Sequence, residues 1–193
     1  GGRSINGVYL AQAFQRDVHV RNVTVHALTN NTTGSSIGLK MTDDAQLFVQ
    51  NVMATDVDLG TTTGTEACFN PSSLSNATVN NNLSSDATAS GTGSLTSKAS
   101  SNQYVSTTGG SEDLHLKAGA DAINAGSDLG TEHGVQFDID GRDRDTEGDT
   151  WDIGADEFVS TGITVSLSPI NMHWDPQSLT TDMSHSLGTV PLH

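Results

Sequence analysis

The feature that most constrains this chain is a repeat. Val18-His19-Val20-Arg21-Asn22-Val23-Thr24-Val25 is matched 29 residues later by Leu47-Phe48-Val49-Gln50-Asn51-Val52-Met53-Ala54. Apolar residues alternate up to the Asn, and the alternation restarts one residue later, at Val23 and Val25 in the first copy. Successive strand side chains point to opposite faces, so this phase jump predicts a bend at the Asn between two strands. A third, weaker copy runs from Ala77 to Leu83, and either Asn81 or Asn82 matches Asn51; Asn82 is taken as the equivalent position. A second element keeps the same period: Gly7-Val8-Tyr9-Leu10, Gly38-Leu39-Lys40-Met41 and Glu66-Ala67-Cys68-Phe69. A period of about 30 residues holding several short strands, with no helical periodicity, predicts an all-β solenoid rather than a helical or leucine-rich repeat. Each coil should stack on the next at roughly 4.8 Å. Asn22, Asn51 and Asn82 would form a ladder, since Asn tolerates the left-handed backbone region and its amide can donate to one coil and accept from another.

Composition agrees with a thin, repetitive structure. Only 34% of the 193 residues are hydrophobic and 5% aromatic, too lean for a thick globular core. A disordered acidic chain would be rich in Glu, Lys and Pro, whereas here Lys and Pro are few and Val and Thr recur in alternation. The net charge of −15 comes without any cluster of Lys and Arg, which excludes nucleic acid as a partner. No apolar run approaches the roughly 18 residues of a membrane span, so none is expected. The single Cys68, between Ala67 and Phe69, forms no disulfide within the chain and is read as a small buried apolar residue.

The Val-x-Val-x-Asn-Val-x-Val pattern resembles right-handed parallel β-helix proteins of the pectate-lyase-like type, over about residues 5–87. Between 116 and 158 the words Leu116-Lys117-x-Gly119-Ala120-x-Ala122-Ile123-Asn124-Ala125-Gly126, Asp138-Ile139-Asp140-Gly141-Arg142-x-Arg144 and Trp151-Asp152-Ile153-Gly154-Ala155-Asp156-Glu157-Phe158 resemble the C-terminal end of the choice-of-anchor-Q type. The resemblance implies the last coils of a parallel β-helix with a C-terminal cap. It also implies a secreted, cell-surface or virion location, and no particular reaction. The expected organisation is coils over 1–111, with a Ser/Thr/Gly-rich loop at about 84–111 thrown out from one coil. An acidic β-helix end over 112–158 and a β-strand tail over 159–193 would follow.

Three groups of residues are candidates for function. In the coil alignment His26, Asp56 and Asp86 fall four or five residues after their Asn and would stack on one face, the best catalytic candidates for a polysaccharide lyase or glycoside hydrolase. A solvated polar ladder explains the same pattern. Arg16, Asp17 and Arg21 are read as a surface ion-pair group. Between Asp121 and Glu157 lie twelve of the 23 acids, and Asp138, Asp140, Asp143 and Asp145 offer hard oxygen ligands around Gly141, in keeping with Ca²⁺. Their spacing fails the EF-hand pattern, and pairing of Arg142 and Arg144 with Asp152, Asp156 or Glu157 accounts for the same acids. In the tail, Ile163, Val165 and Leu167 alternate with hydroxyl residues, and Trp174 follows Pro169. These apolar residues need a surface, which suggests assembly into a homo-oligomer or filament. The function expected is a non-catalytic structural or adhesive module, contacting surface polysaccharide through its Ser/Thr/Asn-rich loops. The alternative is part of a lyase or hydrolase of the same fold.

Overall fold

The computed structural model describes residues 4–10, 17–31, 34–41, 47–58, 60, 64–71, 77–147 and 150–160. All belong to one compact unit, Gly1–Ser160. The predicted tail strand with Ile163, Val165, Leu167 and Trp174 lies outside these residues, as does Arg16.

The described chain is mostly β. Strands β1 (Ile5–Leu10), β3 (Ser36–Met41) and β5 (Glu66–Pro71) form one parallel sheet in the order β1-β3-β5. Strands β2 (Val18–His26), β4 (Leu47–Thr55), β6 (Thr78–Asn80) and β7 (Leu83–Ser84) form a second, in which β4 pairs on one side with β2 and on the other with β6 and β7. The register follows the sequence repeat: Val18 pairs with Leu47, Val20 with Val49, Val49 with Val79, and Leu39 with Phe69. From β1 to β6 consecutive strands therefore alternate between the two sheets, and each sheet grows by one strand per repeat.

β2 and β4 each run through their Asn without ending. Asn22 and Asn51 sit at φ 51° and 54°, and ladder pairing resumes on the far side with Val23 opposite Val52. One left-handed residue thus turns the chain and shifts the alternation while the strand persists, in place of two separate strands. The shift divides the side chains of β4. Leu47, Val49, Val52 and Ala54 enter a core with Leu39, Met41, Cys68 and Phe69, while Met53 enters a second core with Leu83, Tyr104, Leu116, Ala122 and Ile153. Complete burial of a side chain such as Leu39 contributes roughly 1.5–3 kcal/mol. The two sheets approach closely at Gly38, where a Cβ would lie 2.6 Å from the Cys68 carbonyl oxygen and 3.2 Å from the Ala54 Cβ. Only glycine fits there.

Residues 84–111 are not thrown out as a loop. Leu95 forms a parallel bridge with Leu83, Leu95 N donates to Asn82 O at 2.7 Å, and Ser97 N donates to Asp86 O at 2.6 Å. The segment lies back on β6 and β7, where Ser and Thr hydroxyls satisfy backbone groups without bulk. It then enters β8 (Tyr104–Ser106), which pairs antiparallel with β9 (Asp113–Leu116). Beyond β9 the backbone is mostly turns, with a single helical turn α1 (Arg144–Glu147). Among the described residues no helix is long and apolar enough to cross a membrane.

Candidate functional site

The acidic segment covers the Asn bends. Asn51 Nδ2 donates to Asn22 Oδ1 at 3.1 Å and to Ser127 O at 2.8 Å, while Ser127 N donates to Asn51 Oδ1 at 2.8 Å. Asn22 Nδ2 donates to Val135 O at 2.6 Å. The third left-handed residue of the series is Asn81, at φ 48°, and it donates to Ala125 O. Asn82 has a different place. It is fully buried, its Oδ1 accepts from Val52 N at 2.9 Å, and its Nδ2 donates to Val49 O at 3.0 Å. The third bend therefore belongs to Asn81, because β6 pairs with β4 at an offset of 30 residues instead of 29 (Gln50 opposite Asn80).

His26, Asp56 and Asp86 do not share one register position. His26 stands opposite Thr55, with its Nδ1 2.9 Å from Thr55 Oγ1 and 3.8 Å from an Asp56 carboxylate oxygen. The Thr55 hydroxyl in turn meets the buried Tyr104 hydroxyl at 3.0 Å. Asp56, at φ 52°, takes a hydrogen bond from Ser100 Oγ at 2.5 Å, and its backbone N donates to Ser85 Oγ. Asp86 turns to its own neighbourhood and accepts from Cys68 N, Thr88 N and Thr88 Oγ1. Burial alone would raise the Asp86 carboxyl, but these donors outweigh it and hold the group below its ordinary value. Cys68 is buried, and burial pushes its thiol up.

The four acids expected to hold Ca²⁺ do not converge. Asp138 Oδ1 accepts from Asp140 N and Arg142 N, closing its own turn. Asp143 accepts from Asp145 N at the start of α1, and Asp145 accepts from the Trp151 indole at 2.8 Å. Local turn-making consumes Asp138 and Asp143, as short acidic side chains near free backbone amides commonly do, and the indole takes Asp145. Arg144 is fully buried: it pairs with Glu157 at 2.8 Å and donates to the carbonyls of Asp152, Gly154 and Ala155. Burial carries Glu157 up to about 7, helped by the Asp152 charge and opposed by Arg144. Asp152 accepts from Asn124 N and Phe158 N, so the Trp151–Phe158 word is built around its own carboxylates. At Gly154, φ is 114° and a Cβ would meet Met53 Cε at 2.7 Å, so the word packs directly on β4.

Arg142 pairs with Asp140 at 3.0 Å rather than with Asp156 or Glu157. Beside this pair, His115, Asp140 and Asp156 each bring one donor atom within 4.8 Å of the others. They line an open cavity of about 350 Å³ with Arg142, Phe158 and Val159. His115 and Asp156 escape a reading of the sequence alone, since Leu114-His115-Leu116 shows only strand alternation. The available signal was Asp113 two residues before His115, which places both on one face of β9.

No protein-family model, curated protein or solved structure matches the chain.

Proposed function

We propose that this chain forms coils of a right-handed parallel β-helix of the pectate-lyase-like type, closed by an acidic segment of the choice-of-anchor-Q type. It acts outside the cell or on a virion as a non-catalytic structural or adhesive module. Two parallel sheets that each advance one strand per repeat support the coil reading. Right-handedness follows from the strong preference of parallel crossover connections. The observation that supports the non-catalytic reading is the bonding of the three candidates: His26 comes within 3.8 Å of Asp56, but Thr55 and Ser100 engage that pair, and Asp86 is taken up by Cys68 and Thr88. Surface polysaccharide is the proposed ligand class, and a second copy of the chain the proposed assembly partner, through Ile163, Val165, Leu167 and Trp174.

The test is incubation of the full chain with a panel of acidic and neutral polysaccharides, reading retention and the appearance of new chain ends together. Light scattering with and without residues 161–193 reads assembly. Retention on a glycan without cleavage, and an oligomer lost on deletion, is the expected result. Cleavage abolished by Asp56→Asn would overturn the proposal in favour of a lyase or hydrolase. A monomer that binds no glycan would remove the adhesive and assembling roles.

A further inference from the structure

We propose that His115, Asp140 and Asp156 form a divalent transition-metal site of the zinc type. Each of the three side chains is held by one of its polar atoms. His115 Nδ1 meets Asp113 Oδ1 at 2.6 Å, Asp140 Oδ2 meets the Arg142 guanidinium at 3.0 Å, and Asp156 Oδ2 accepts from Leu116 N at 2.7 Å. The remaining atoms are His115 Nε2, Asp140 Oδ1 and Asp156 Oδ1. The first two lie 3.4 Å apart.

Asp156 supplies an independent sign of a ligand. The residue is 4% exposed, it lines the cavity, and its Oδ1 has no hydrogen-bond partner. A carboxylate oxygen buried without a partner is left poorly solvated, and a cation in the cavity would restore that solvation. Asp138 and Asp140 share one guanidinium, that of Arg142, and Asp113 and Asp140 flank His115, so carboxylates outnumber cationic side chains around the site. Arg142 reaches Oδ2 of Asp140 from a half-exposed position and orients the carboxylate, whose Oδ1 faces His115 Nε2 at 3.4 Å.

The donor set selects the metal class. One imidazole nitrogen and two carboxylate oxygens suit zinc and its neighbours, whereas Ca²⁺ takes six to eight oxygens and gains little from imidazole. The Asp113–His115 contact is an outer carboxylate–histidine pair: with Nδ1 donating to Asp113, Nε2 would turn its lone pair to a metal. Three protein ligands leave one tetrahedral position for water or an anion, opening into the cavity beside Phe158 and Val159.

The test is competition of the full chain with a chromophoric chelator for Zn²⁺, with Co²⁺ as a spectroscopic probe of coordination. The expected result is a site lost, or weakened at least about 100-fold, by His115→Ala, and weakened about 10- to 100-fold by Asp113→Asn. Both positions are partly exposed, and far-ultraviolet circular dichroism checks that the variants remain folded. An excess of Ca²⁺ should displace neither ion. Zinc binding unchanged by His115→Ala would overturn the assignment, because the metal would then sit elsewhere in the chain. Ca²⁺ binding retained in that variant and competitive with Zn²⁺ would also overturn it, by showing an all-carboxylate site.

Discussion

In β1–β7 the amides and carbonyls of one repeat mostly meet those of the next, whereas between 113 and 158 several of them meet carboxylates. Asp152 takes the amides of Asn124 and Phe158, Asp156 takes that of Leu116, and Glu157 takes that of Asp152. Both regions satisfy buried backbone groups, as burial requires. The difference lies in how the specification is shared. In the sheets it is spread over many equivalent pairs, so no single residue controls it. In the acidic segment it is concentrated in a few side chains, of which Asp138, Asp152 and Arg144 each serve more than one backbone group. The second arrangement should fail at single substitutions and respond to pH in its own way.

The strongest challenge to that contrast is Arg144→Met. It leaves Glu157 without its cation and takes the guanidinium from three carbonyls, of which Ala155 O keeps Ile139 N as a donor, and should cost about 3–5 kcal/mol in denaturant unfolding. Combining it with Glu157→Leu should recover a large part of the loss, since apolar residues often replace a buried pair at little net cost. A loss below about 1 kcal/mol for the single change would place Arg144 among ordinary residues and erase the contrast.

Asn51→Ala, in the sheets, should cost less, about 2–3 kcal/mol, from lost hydrogen bonds and the strain of Ala at φ 54°. Asn51→Gly removes the strain alone and should recover about 1 kcal/mol of it. Equal losses for Ala and Gly would show that the left-handed bend carries no cost of its own.

The smallest effect separates the regions by pH in metal-free protein. Asp86 is held below its ordinary value, so its contribution is present above the unfolded carboxylate range near 4 and disappears as pH falls through its folded value. Asp152 and Glu157 are raised by burial, so their contributions are present below that range and are lost as pH rises, for Glu157 through about 7. Hydrogen exchange, corrected for intrinsic rates, should show amides near 152–158 less protected at pH 7.5 than at pH 5. Those near Cys68 and Thr88 should lose protection only below pH 4. Parallel changes in both regions would show that they open as one unit.

The repeat was legible because strand pairing leaves a periodic trace: the phase jump at Asn22 and Asn51 located the bend, and Val and Leu positions located the core. The third bend was harder. Asn80, Asn81 and Asn82 offer three adjacent amides, and only the change of offset to 30 residues decides that Asn81 turns and Asn82 bonds to β4. The pairing of Arg144 with Glu157 was within reach as one of several acid partners. The separation of Asp138, Asp143 and Asp145 was not, since whether an acid closes its own turn or faces a shared centre depends on backbone direction, which composition does not encode. His115 and Asp156 meet across some 40 residues of irregular chain, and no period marks that distance.

Asn82 has a further consequence. Its single amide group supplies both the carbonyl and the N–H that β4 lacks between β6 and β7, where the main chain is bonded elsewhere. A side chain here impersonates a peptide link, so the main chain departs from the sheet without leaving a gap in it. The residue works as a hinge pin between two architectures: periodic on one side, free to follow any path on the other. The length of the periodic part and the design of its ending become separable problems, joined at one asparagine.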